Sequence, residues 1–175
     1  VTSENHPALA RAGFTYRTQL CRPAKSGRMR IIDLDEVHNL IPVEGLNYLV
    51  GAAFAGATAS ADWYLGIYAG NYTPTSDVSA SNVATLASEF TGYSAATRVH
   101  WTPGAVAAGL ADNSAAKASF TFTAASTLYG AFLVSAAAKG ATTGRLGSIA
   151  RFTTPKQPAI GDVLTVVAGI AITSD

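Results

Sequence analysis

Residues 62–75, DWYLGIYAGNYTPT, hold one Trp and three Tyr in fourteen positions, with no basic residue among them. Trp63, Leu65, Ile67 and Ala69 alternate with Tyr64, Gly66 and Tyr68, the period of two that a β-strand imposes on its side chains. The segment GNYTPT that follows supplies Gly, Asn and Pro for a turn. The stretch therefore reads as a sheet strand with an apolar row facing inward and a tyrosine-bearing row facing outward. On that reading Tyr64, Tyr68 and Tyr72 are the aromatic side chains available for surface contact, a glycan among the possible ligands.

The same period recurs on both sides of it. Upstream, RMRIIDLD has the β-branched residues of a strand. Downstream, TRVHWT sets Val99 and Trp101 against Arg98 and His100, and AKASFTFTA sets Ala118, Phe120 and Phe122 against Lys117, Ser119, Thr121 and Thr123. TLYGAFLVS and GRLGSIARF continue the series. DVLTVVAGIAIT, with apolar residues in both phases, fits a central strand covered on both sides. The period changes to that of a helix in PVEGLNYLVGAAFAG, where Leu46, Leu49, Val50, Ala53 and Phe54 make one apolar face. SNVATLASEF predicts a second, short helix through Val83, Leu86, Ala87 and Phe90. About seven strands, short turns rich in Gly, Pro and Asn, and one or two short helices predict a mainly β fold, an antiparallel β-sandwich or jelly roll. Residues 1–27 show no sustained period and read as an extended basic arm, leaving 28–175 as the single sandwich domain.

A chain of 175 residues can bury a substantial core, roughly 70% of the surface its extended form exposes. Charged residues are only 13% of it, against about 25% in ordinary soluble proteins. A surface of Ala, Ser, Thr and Gly carries little charge to oppose association, so a subunit covered by neighbours is expected. The order of the charges is uneven. Residues 1–30 carry +5, residues 31–97 carry −7 with no base at all, and the remainder carries +3. A basic leader before an acidic block is expected to lie on an acidic surface, its own or a neighbour's, through Arg11, Arg17, Arg22, Arg28 and Arg30. Nucleic acid is the weaker partner for it, because six bases spread over thirty residues neutralise few phosphates. No apolar run is long enough to cross a bilayer as a helix, and VTSENHPALARAGF lacks the apolar core of a secretory signal.

The search for chemistry is short. Cys21 is the one cysteine, so neither an intrachain disulfide nor a multi-cysteine zinc site can form. The histidines, His6, His38 and His100, sit in no recognised nucleophile motif, and neither a phosphate loop nor a dinucleotide fingerprint is present. Asp33 and Asp35 share a strand face beside Glu36, a pair that suggests a glycan hydrolase or a calcium site. DLDE lacks the dense ligand spacing of a calcium loop, and a solvated face or a dock for the basic leader is the expected role. AKGATTGRLG reads as a hairpin loop. No catalytic residue, metal or cofactor is expected.

HNLIPVEGLNYLVGAAFAG, WYLGIYAGNYTPT, TRVHWTPG, DNSAAKASFTFTAASTLYGAFLVS and KGATTGRLGSIARF together resemble small structural proteins of tailed bacteriophage particles, most of all capsid decoration (cement) proteins. The resemblance covers about residues 38 to 175 and rests on overall texture. It implies a non-enzymatic virion protein, made in the bacterial host cytoplasm and placed on the outer capsid. Its partners would be the major capsid protein and copies of itself, as a homodimer or homotrimer. A tail, baseplate or fibre component, with Tyr64, Tyr68 and Tyr72 at a receptor, is the alternative.

Overall fold

The computed structural model describes residues 10–174. They form two five-stranded antiparallel sheets packed face to face, a β-sandwich. The first sheet places β1 (Ala10–Pro23) between β2 (Met29–His38) and β10 (Val163–Ser174); β6 (Leu110–Asp112) and β7 (Ala118–Thr121) share the far edge of β10. The second places β3 (Trp63–Tyr68) and β8 (Leu128–Val134) at its centre. β9 (Leu146–Lys156) forms one edge, and β4 (Glu89–Phe90) and β5 (Val99–Trp101) form the other. Two helices, α1 (Val43–Phe54) and α2 (Val83–Leu86), lie in the connections.

The expected arm is the main correction. Residues 10–23 are a fourteen-residue strand, paired along its length with β10 and along most of it with β2. Phe14, Tyr16, Thr18 and Leu20 form its buried row, so the period of two is present but broken by one Thr. Residues 1–9 of the expected arm lie outside the described residues.

The inward rows meet as predicted from their alternation. Leu65 and Ile67 of β3, Ala118 and Phe120 of β7, Phe122 just beyond it, and Leu164, Val166 and Ala168 of β10 all join one core with Tyr16 and Leu20. Each such large apolar side chain, fully removed from water, contributes roughly 1.5–3 kcal/mol. Polar groups tie the layers together. The Tyr16 hydroxyl hydrogen-bonds Ser148 Oγ at 2.5 Å across the sandwich, and Trp101 Nε1 donates to Ala168 O at 2.9 Å. Asn113 fills the gap between β6 and β7: its Oδ1 accepts from Ala168 N at 2.7 Å, and its Nδ2 donates to Val166 O at 3.2 Å.

A second cluster lies on the outer face of the second sheet. Tyr68, Phe132, Val134 and Ile149 are sealed there by Val78, Ala80, Val83 and Ala87 from the β3–β4 connection. The Arg98 guanidinium, wholly buried, holds this cover. It binds both carboxylate oxygens of Glu89, at 2.8 and 2.7 Å, and donates to the carbonyls of Ala136 and Ala141. Four acceptors around one guanidinium satisfy the buried charge.

Candidate interaction surface

The helix α1 closes one end of the sandwich, and of the apolar face its sequence suggests it turns only Leu49 inward. Gly45, Tyr48, Leu49 and Ala52 turn toward the sheets, while Val43, Leu46, Val50, Ala53 and Phe54 face water. The reason is backbone proximity. A Cβ on Gly45 would stand 2.6 Å from the carbonyl oxygen of Gly147, so only glycine lets the helix approach β9 this closely. Glu44 sets the angle of approach, its Oε2 accepting from the backbone N–H of Ala80 and of Leu146, each at 2.8 Å. The outward stripe is left with Phe54 at 88%, Val50 at 59%, Val43 at 50% and Leu46 at 44% exposure. A helix apolar on every side is normally covered on every side.

Beneath α1 the closure is incomplete. Phe14, Tyr48, Leu49, Trp63, Trp101, Leu133 and Ile170 surround an apolar recess of about 140 Å³. Tyr48 meets Trp63 edge to face, with centroids 5.2 Å apart. The recess is lined by the inward face of α1 and the stripe by its outward face, and both are apolar.

The outer face of the first sheet is the other open surface. Register places Arg17 beside Glu36 and Val167, and Gln19 beside Leu34 and Thr165. Leu34 and Ile31 stand in this row 67% and 51% exposed, over shallow grooves that Arg17, Leu34, Ser114 and Lys117 help to line.

The predicted contact residues separate. Arg17 pairs with Asp112 at 3.1 Å, and Arg22 with Asp162 at 2.7 Å, so both of these arginines are engaged by acids of the same chain. The Arg22 guanidinium holds the Asp162 carboxyl below the usual carboxylate range; hydrogen bonds from Ser114, with a smaller contribution from Arg17, do the same for Asp112. Arg11, Arg28 and Arg30 are exposed, the first on β1 and the other two at and after the β1–β2 turn. The tyrosine row is the second correction. Tyr68 is fully buried under the cover, donating to Ala150 O at 3.1 Å, and burial pushes its hydroxyl pKa well above the ordinary value. Tyr72 is half-buried, with its hydroxyl on Thr75 Oγ1, and Tyr64 stands edge-on to His100. The three therefore form no shared platform.

The Asp33–Asp35 pair faces inward, where it meets Lys156 of β9 instead of the basic leader. Among the described residues, no three His, Cys, Asp or Glu side chains gather as a metal site. His100 joins Asp62 at 3.1 Å to Thr102 at 2.9 Å. Carboxylate, imidazole and hydroxyl are the groups of an acyl-transfer relay, but these three stand in open water, where such hydrogen bonds are weakest. No helix among the described residues is long and apolar enough to cross a membrane. Sequence reasoning missed the outward stripe, which only the Gly45 contact reveals, and the buried setting of Arg98 and Lys156. The chain matches no family model and no curated protein sequence.

Proposed function

We propose that the chain is a non-enzymatic structural subunit of a tailed-bacteriophage particle, a capsid decoration protein that binds the outer shell across subunit boundaries. The observation that carries the assembly part of this reading is α1, apolar on the face it buries and apolar on the face it presents to water. The charge-poor surface supports the same conclusion, since little electrostatic repulsion opposes contact with a neighbour. The phage assignment rests on the sequence resemblance. On this reading the outward stripe of α1 and the bare outer face of the first sheet carry contacts to copies of the chain and to the major capsid protein. Many weak contacts on a fixed lattice act at high effective concentration, which is how a small subunit reinforces a shell without chemistry.

The role first given to the basic leader narrows. Arg17 and Arg22 serve the fold, which narrows the candidate contacts to acidic capsid surface to Arg28 and Arg30. The assembly reading is tested by light scattering on the purified chain and on a Val50→Ser, Phe54→Ser double variant. A dimer or trimer that the variant disrupts supports it, and a monomer at every concentration removes it. Location is tested by image reconstruction of particles carrying the protein. Density on the shell supports decoration, and density on the tail favours the tail-component alternative.

A further inference from the structure

We propose that Lys156 and Asp33 condense to an intramolecular isopeptide bond, with Asp35 carrying the proton. The bond would join β9, an edge of the second sheet, to β2, an edge of the first, between residues 123 apart in the chain.

The side chain of Lys156 is wholly buried, yet its Nζ is far less well satisfied than the Arg98 guanidinium. Its hydrogen-bond partner is Asp33 Oδ1. The second carboxylate, Asp35 Oδ2, lies 3.6 Å away, beyond hydrogen-bond distance, and accepts the backbone N–H of Thr153 at 3.0 Å. The ring of Phe152 also faces the ammonium in a cation–π contact, with its centroid 5.0 Å from Nζ. An ammonium has three donors, and a buried one with unfilled donors is costly. Condensation removes that cost, because it replaces the buried ammonium and its partly exposed carboxylate partner with one neutral amide.

The arrangement supplies what the reaction needs. Asp33 and Asp35 occupy the inward row of β2, as their pairing with Leu20 and Thr18 of β1 requires, so both carboxyls face the amine. A proton passes from the ammonium to Asp33, leaving a free amine against a neutral carboxylic acid. Nζ attacks Asp33 Cγ while Asp35 takes a proton from the nitrogen and delivers it to the departing hydroxyl. One C–N bond forms, one C–O bond breaks, and one water leaves. Of the three ammonium protons, one stays on the amide and two leave in the water. No oxidant or co-reactant takes part. Holding amine and carboxyl in contact makes the step unimolecular, the source of the large effective molarities of intramolecular reactions. The 32% exposure of Asp33 gives the water an exit.

Intact-mass spectrometry of the denatured full-length chain, fresh and after a week at neutral pH, decides the matter. The expected mass is about 18 Da below that of the sequence, one water lost, with a branched peptide joining the segments that contain Asp33 and Lys156. Lys156→Met and Asp33→Ala have their full sequence masses. Asp35→Ala, which keeps both reacting groups, forms the cross-link at least about tenfold more slowly. The full sequence mass in the unaltered chain at both times, or a mass deficit without the branched peptide, overturns the proposal. Cross-linking of Asp35→Ala at the unaltered rate overturns the part given to Asp35.

Discussion

The outward rows of the two sheets were built from similar alternation and have opposite fates. On the second sheet, Tyr68, Phe132 and Val134 lie under the β3–β4 connection, held down by Arg98 and Glu89. On the first, Leu34, Ile31 and Arg17 are exposed, with no layer over them among the described residues. The difference teaches that period-two patterning assigns a side chain to a row, while a third layer decides whether that row meets water. It also divides the labour: the covered face belongs to the fold, and the bare face, with the α1 stripe, is available to neighbours.

The largest test of that division removes a whole strand. Deleting residues 1–27 takes β1 from between β2 and β10, and we expect complete loss of cooperative unfolding in circular dichroism. A folded product would restore the idea of a detachable arm. Next, Arg98→Met strands the Glu89 carboxylate inside the covered face and costs about 3–5 kcal/mol, measured by denaturant unfolding. A loss under 1 kcal/mol would mean that the cover does not depend on this pair. Asn113→Ala, on the uncovered sheet, leaves the N–H of Ala168 without its partner and costs about 1–3 kcal/mol in the same measurement.

Acid probes the first sheet through Asp162. The folded-state pKa of Asp162 is depressed, so its pairing with Arg22 contributes fully above the unfolded carboxylate range, near pH 4. That contribution fades as pH falls through the lowered value. Melting temperatures of the unaltered chain and Asp162→Asn should therefore differ at pH 6 and converge as the pH falls through the lowered carboxylate pKa. A constant difference would remove the ion pair as its cause. The smallest effect on the fold is expected at Leu34→Ser, within about 0.5 kcal/mol, because the side chain is already in water. Substantial destabilisation would show that the face is not bare.

Much of the architecture was legible. Ala118, Phe120 and Phe122 alternate cleanly and are buried as read, and β10 takes a central place between β1 and the β6–β7 edge; of its two apolar phases, the row of Leu164, Val166 and Ala168 joins the core, while Val167 on the other face joins no core cluster. β1 escaped notice because Thr18 interrupts its inward row and three arginines fall within its fourteen residues. In α1 the helix itself was readable, but its orientation was not: both faces are apolar, and only the contact of Gly45 with β9 chooses between them. The inward-facing Asp33–Asp35 pair was visible as a pair. Its partner Lys156 was not, since the two strands lie far apart in sequence and no local pattern links them.

The pairing of β1 with β10 carries a consequence for biosynthesis. The strand that completes the first sheet is the last of the described chain to leave the ribosome, so β1 and β2 must wait, unsheltered, while everything between is synthesised. Nascent chains of this protein should therefore acquire their native fold only after translation of β10, and until then they are natural clients for chaperones.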